Sequence, residues 1–187
     1  MKITAIALGL VCLPAPAWSQ SVTLADLEGS VITLSENYRQ KIVRDGEVKN
    51  VANHENGRVT IDADHSITEQ WQSTSTNVRN GHSKTGPVRS GKRELDKPFQ
   101  GTHGDDGVWT FDNGSLVRLR VFNGGAGGLK RTISFSRDAS GLHCESVLVM
   151  AHETGVRGLT KASEIDDKPI QILEFKQVSS TCQIAKS

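Results

Sequence analysis

The residues of greatest chemical promise stand together in a glycine-rich stretch: His103, Asp105 and Asp106. An imidazole beside two carboxylates can hold a divalent cation or pass a proton, so these are the candidate metal or acid/base residues. Acids beside glycine also describe a solvated turn. None of the six histidines, His54, His65, His82, His103, His143 and His152, opens a zinc motif of the form H-E-x-x-H; His152-Glu153-Thr154-Gly155-Val156 begins it and ends in valine. His143 and Glu145 flank Cys144 and share the outer side of a strand, where they read as an exposed polar pair. Six bases, Arg79, Lys84, Arg89, Lys92, Arg93 and Lys97, stand against Glu94 and Asp96 and leave a local charge of +4. They are the candidate contacts to an anionic envelope surface, lipid phosphate or acidic polysaccharide. The alternative is that they keep an exposed strand edge from pairing between molecules. No aromatic residues interleave with them, which argues against nucleic acid as a partner.

Gly86-Pro87-Val88-Arg89-Ser90-Gly91-Lys92 matches the phosphate-cradling pattern GxxxxGK, but Arg93 stands where a Ser or Thr must hold Mg²⁺. No cofactor is therefore expected from it. Lys84-Thr85-Gly86 resembles the third motif of serine β-lactamases and penicillin-binding proteins, yet no serine has a lysine three residues on to supply their nucleophile. Gly107-Val108-Trp109 resembles the G-x-W of lipocalins, secreted barrels that hold apolar ligands. In that family it lies on the first strand and here it is mid-chain, so the resemblance implies an architecture and carries over no residues.

The N-terminus explains the compartment. Lys2, the apolar run Ile3 to Leu13 and the small residues Ala15-Pro16-Ala17 form a signal peptide cleaved after Ala17 or Ser19. The run of eleven would span only about 16 Å as a helix, about half of a bilayer core, so no retained anchor is expected. A lipoprotein anchor at Cys12 is disfavoured by Val11, where a small residue is needed. Removing residues 1–19 takes away Cys12 and one lysine, leaving Cys144 and Cys182 as the only thiols and a net charge near zero. An even number of thiols in an oxidising compartment, without C-x-x-C spacing, predicts a disulfide. Near-neutrality excludes a general polyanion binder.

The elements that must position these groups are strands. Thr23-Leu24-Ala25-Asp26 caps one short helical turn, stopped by Gly29. Ile32, Leu34, Tyr38 and Ile42 share one parity of a half-buried strand over 31–44. Asp45-Gly46 and Asn56-Gly57 read as hairpin turns, separating strands near 47–55 and 58–63; Ile67, Glu69 and Trp71 continue the alternation. Residues 72–107 hold six glycines and few apolar side chains, which predicts a long exposed hairpin or loop. A meander follows, turning at Asp112-Asn113-Gly114, at Asn123 to Gly128 and at Asp138 to Gly141. In it Val117, Leu119 and Val121 are assigned with Leu129, Ile133 and Phe135 to a dry face, and Arg118, Arg120, Lys130 and Ser134 to a wet one. A strand over 142–150 points Cys144 inward toward a C-terminal tail beneath the sheet, and a last strand runs from Ile170 to Val178.

The fold class expected is all-β, an antiparallel meander closing as a small up-and-down, lipocalin-like barrel or a β-sandwich, over one domain at 20–187. The function expected is that of an exported binding or envelope-associated accessory module, not an enzyme, taking a small apolar ligand or an anionic surface. The alternative is a small secreted hydrolase or metal-dependent enzyme using His103, Asp105 and Asp106.

Overall fold

A computed structural model describes residues 21–44, 46–100, 106–122, 127–151 and 171–186. The leader, Asp45, His103 and Asp105, residues 123–126 of the expected glycine-rich turn, and residues 152–170 lie outside the described residues. Thr23 caps a single helical turn, α1 (Leu24–Leu27), in a reciprocal capping box with Asp26, and Gly29 at φ 68° ends it.

Among the described residues ten strands follow: β1 (Ser30–Arg44), β2 (Glu47–Ile61), β3 (Ile67–Asn77), β4 (Ser83–Thr85), β5 (Arg89–Arg93), β6 (Gly107–Asp112), β7 (Ser115–Phe122), β8 (Gly127–Asp138), β9 (Gly141–Ala151) and β10 (Gln171–Lys186). One sheet has the order β10-β1-β2-β3-β4, with β5 also paired to β3; the other has the order β6-β7-β8-β9. Every paired strand is antiparallel. The β6–β7 turn has the positive φ at both Asn113 and Gly114 that a two-residue primed hairpin loop requires. Among the described residues no helix is long and apolar enough to cross a membrane.

The sheets share one core. Ile32, Leu34, Val59, Ile61, Ile67 and Trp71 from the first sheet pack with Trp109, Leu116 and Ile133 from the second, over Leu27 of α1. Removing this apolar area from water is the main drive for bringing the sheets together.

Four sequence expectations need correction. Asn56-Gly57 makes no turn, because β2 runs through it; Gly57 pairs with Trp71, whose ring lies where a Cβ would be, 2.1 Å away. The missing side chain thus seats an indole, a use of glycine that turn statistics do not reveal. Residues 72–107 are not only a loop: β4 and β5 pair with β3, and Leu95 and Phe99 pack on the core beside bridges to Trp109 and Gly107. Over 116–119 the faces of β7 are the reverse of those expected, although Val121 is buried as expected. Leu116 and Arg118 are buried and register with Ile133 and Arg131, while Val117 and Leu119 register with the outward Thr132 and Lys130. Finally, β10 continues to Lys186, so Cys182 sits in a strand paired to Leu34 and not in a tail beneath the sheet.

Candidate functional site

The inverted face of β7 places charge inside. Arg131 of β8 gives both Glu36 oxygens of β1 a hydrogen bond, Nη2 to Oε2 at 2.6 Å and Nε to Oε1 at 3.0 Å, and gives Glu55 of β2 another at 2.6 Å. Ser146 of β9 donates to Glu36 Oε1 at 2.6 Å. A third acid, Glu69 of β3, accepts at Oε2 from Trp71 Nε1 at 2.8 Å, Trp109 Nε1 at 3.0 Å and Arg118 Nε at 2.8 Å, and at Oε1 from Arg93 Nε at 3.0 Å. The Trp71 ring stands between the two halves, 4.1 Å from the Arg131 guanidinium and 5.3 Å from that of Arg118. Cation–π attraction and the carboxylates together let two buried arginines lie directly across a strand pair.

The ionisation states follow. Burial opposes charge on Glu69, but Arg118 and the donors Trp71 and Arg93 outweigh it and hold the pKa down to about 2. Glu55 is lowered in the same way, against burial, by Arg131, Arg120 and Arg118. Arg131 is raised, against burial, by Glu55 and Glu36. Burial, and then Glu55, push the Tyr38 hydroxyl above its ordinary range. A carboxylate as fully supplied with donors as Glu69 is a poor general base, and its hydrogen bonds to β7 and β6 serve to hold the sheets in alignment. Its signal was in the sequence: Glu36 shares parity with Leu34 and Tyr38, Glu69 with Ile67 and Trp71, and Arg131 with Leu129 and Ile133. Only β7, where valines and arginines alternate, was ambiguous.

The candidate basic residues lie in different surroundings. Arg93 is drawn into the core, against Glu69 and 4.2 Å from the centre of the Phe99 ring. Lys92 lies 2.9 Å from Asp64 and 3.5 Å from Asp62, and Lys97 pairs with Glu94. Arg89, half-buried, opens β5 beside Trp71. Arg79 and Lys84 are exposed near the tip of the β3–β4 hairpin. Asp106 is buried, and its carbonyl accepts from the Val121 amide at 2.9 Å. Its two companions lie outside the described residues, among which no three His, Cys, Asp or Glu residues gather as metal ligands.

One turn mimics a hydrolase site and fails on geometry. His143 Nε2 lies 2.9 Å from Asp138 Oδ1 and 2.8 Å from Ser140 Oγ. A Ser-His-Asp relay needs the acid on one ring nitrogen and the serine on the other, whereas here both meet Nε2. Hydrogen bonds from Ser140 and then His143 hold the Asp138 carboxyl well below its usual range.

The open feature is the seam between β9 and β10, the facing edges of the two sheets. Cys144 and Cys182 are joined across it with Cα atoms 5.6 Å apart, the disulfide expected from the sequence. Beyond the disulfide a groove of about 350 Å³ opens, walled by residues 144–147 of β9 and by Gln177, Val178, Ser179, Ser180 and Cys182 of β10. Gln177 reaches across: its Oε1 accepts from the Leu148 amide at 3.0 Å and its Nε2 lies 3.4 Å from the Ser146 carbonyl. A bulge aims it there, since Asn37 pairs with Ser179 and Tyr38 with Gln177, leaving Val178 as the extra residue. Nothing in the residue pattern of β10 marks Gln177 in advance. Compared with protein-family models, curated proteins and solved structures, the chain gives no match.

Proposed function

We propose that this is an exported, single-domain β protein that works by binding, as an accessory module of the periplasm or outer envelope. The observation that carries the reading is the division of its polar groups. The buried Glu36, Glu55, Glu69, Arg118 and Arg131 are consumed in mutual pairing, and exposed groups that a partner could meet lie at strand edges and on the β3–β4 hairpin. Export is supported by the disulfide, which persists in oxidising compartments, and by the leader pattern. The architecture we infer is an up-and-down barrel flattened toward a sandwich and left open at the β9–β10 seam; chain-order neighbours in each sheet and the disulfide across that seam support it. An apolar ligand between the sheets would have to displace paired charges at Glu36, Glu55, Glu69, Arg118 and Arg131, which favours a partner on the surface.

The test is gentle isolation of the exported chain at low ionic strength, followed by native mass spectrometry and sedimentation with anionic lipid vesicles. A peptide, protein or lipid that travels with the folded chain and leaves on unfolding is the expected result. A chain that flies bare in every preparation and stays in the supernatant overturns the reading.

A further inference from the structure

The two hydrogen bonds of Gln177 have the pattern of a strand. Residues Ser146 and Leu148 flank Val147, and a neighbouring parallel strand would offer one carbonyl to the amide after Val147 and one N–H to the carbonyl before it. The Gln177 carboxamide supplies that pair, Oε1 to Leu148 N and Nε2 toward Ser146 O. A primary amide has the polar atoms of one peptide unit and no more, so it plugs the edge of β9 at a single residue. We propose that the β9–β10 seam receives an extended peptide strand of a partner protein, whose backbone displaces Gln177 and continues along the edge of β9. The proposal rests on the binding-module reading and names its occupant.

Three further observations fit a strand and not a compact ligand. Each wall of the groove contains a run of four consecutive residues, 144–147 and 177–180, the second joined by Cys182, so the groove follows the strands and takes about 13 Å of extended chain. Val147 and Val178, among its lining residues, are exposed apolar side chains, 45% and 55% accessible, suited to small β-branched side chains of the incoming segment. On the β10 wall, Ser180 Oγ is shielded from solvent and has no hydrogen-bond partner among the described residues, so a peptide group beside it would satisfy a hydroxyl otherwise left orphaned.

The probe is a capped pentapeptide of alternating threonine and valine, titrated into the oxidised, ¹⁵N-labelled chain while amide shifts are followed by NMR. Shifts confined to 144–148 and 177–182, with slowed exchange of the Leu148 amide, are expected. Gln177→Ala, which removes the internal competitor, should bind the same peptide about fivefold more tightly, the factor for one hydrogen bond of about 1 kcal/mol. Gln177→Ser, which is too short to reach the edge of β9, should behave likewise and serves if the alanine variant is unstable. The same peptide with proline in place of its central residue cannot donate to the edge and should not bind. Shifts elsewhere, an unchanged spectrum up to millimolar peptide, or equal affinity for the proline peptide overturns the strand site. A partner recovered with the native chain would leave the binding-module reading standing even then, so the two failures are separable.

Discussion

The two joins between the sheets are built on opposite plans. Across the interior, β1, β2 and β3 meet β7 and β8 through Glu36, Glu55 and Glu69 on one side and Arg118 and Arg131 on the other, with indoles filling the space between. Each buried carboxylate there has its donors, and each guanidinium its acid. At the seam, by contrast, β9 and β10 are tied by the disulfide, the Gln177 amide and a small apolar cluster in which Ile172 and Phe175 of β10 pack against Leu148, Leu129 and Tyr38, and the Ser180 hydroxyl has no partner among the described residues. The interior join fixes one alignment, because any slip strands a charge out of water. The seam holds the smaller of the two apolar clusters, so opening it would expose less buried surface than parting the sheets at the interior join.

The sharpest way to break this comparison is to strip the interior of one partner. Arg131→Leu leaves Glu36 and Glu55 buried without their guanidinium and should lower the unfolding free energy by about 3–5 kcal/mol in a urea titration. Adding Glu36→Leu and Glu55→Leu should restore much of that loss, since the penalty comes from unpaired charge. A single variant as stable as the parent would show that the interior is not the tight join. Next in size is the covalent tie. Cys182→Ala releases a loop closed at a separation of 38 residues and should cost about 4 kcal/mol by the chain-entropy model, read as a shift in the denaturant midpoint. An unchanged midpoint would mean that β9 and β10 are held by something other than the bond.

How far the sequence foretold these joins depends on whether the signal was local. The capped turn at Thr23, the Asn113-Gly114 hairpin, the inward Cys144 and the disulfide were all legible, because each follows from neighbouring residues or from thiol arithmetic. The interior join was half legible. Acids at inward parity in β1 and β3 were visible but needed arginines opposite, and β7 offered two faces of which valine seemed the dry one. Which face goes in was decided by partners in other strands: three carboxylates in the opposite sheet outweighed the burial of Val117 and Leu119, while Val121 stayed buried at the strand's end. Gly57 was misread for the same reason, since its purpose is the Trp71 ring fourteen residues on. The seam was not legible, because a bulge at Val178 resets the parity of β10 and only then does Gln177 face β9.

Acid separates the two joins without mutation. Glu69 has a folded pKa near 2 against an ordinary 4.5, so its ionised form stabilises the fold at neutral pH. That contribution is fully present above about pH 4.5 and is lost as pH falls from there toward 2. The urea midpoint should therefore hold steady from pH 7 to 5 and fall below 4.5, and Glu69→Gln should start lower and flatten the acid limb. The disulfide and the Gln177 amide do not titrate in this window. An acid limb as steep in Glu69→Gln as in the parent would locate the sensitivity elsewhere.

The smallest effect is the most discriminating. Gln177→Ala removes two hydrogen bonds, one of them long, from a half-buried site, and its global cost should be only about 1 kcal/mol. Locally it should do more, because the Leu148 amide then faces the open groove. Its hydrogen exchange should accelerate well beyond what a 1 kcal/mol global change allows, while amides of the β7–β8 ladder, such as Thr132 opposite Val117, follow the global change alone. Equal acceleration at both places would mean that seam and interior open as one unit and that β9 has no independent edge to offer. Acceleration confined to the Leu148 region would show an edge that opens on its own, held shut by one carboxamide in the position of a peptide bond.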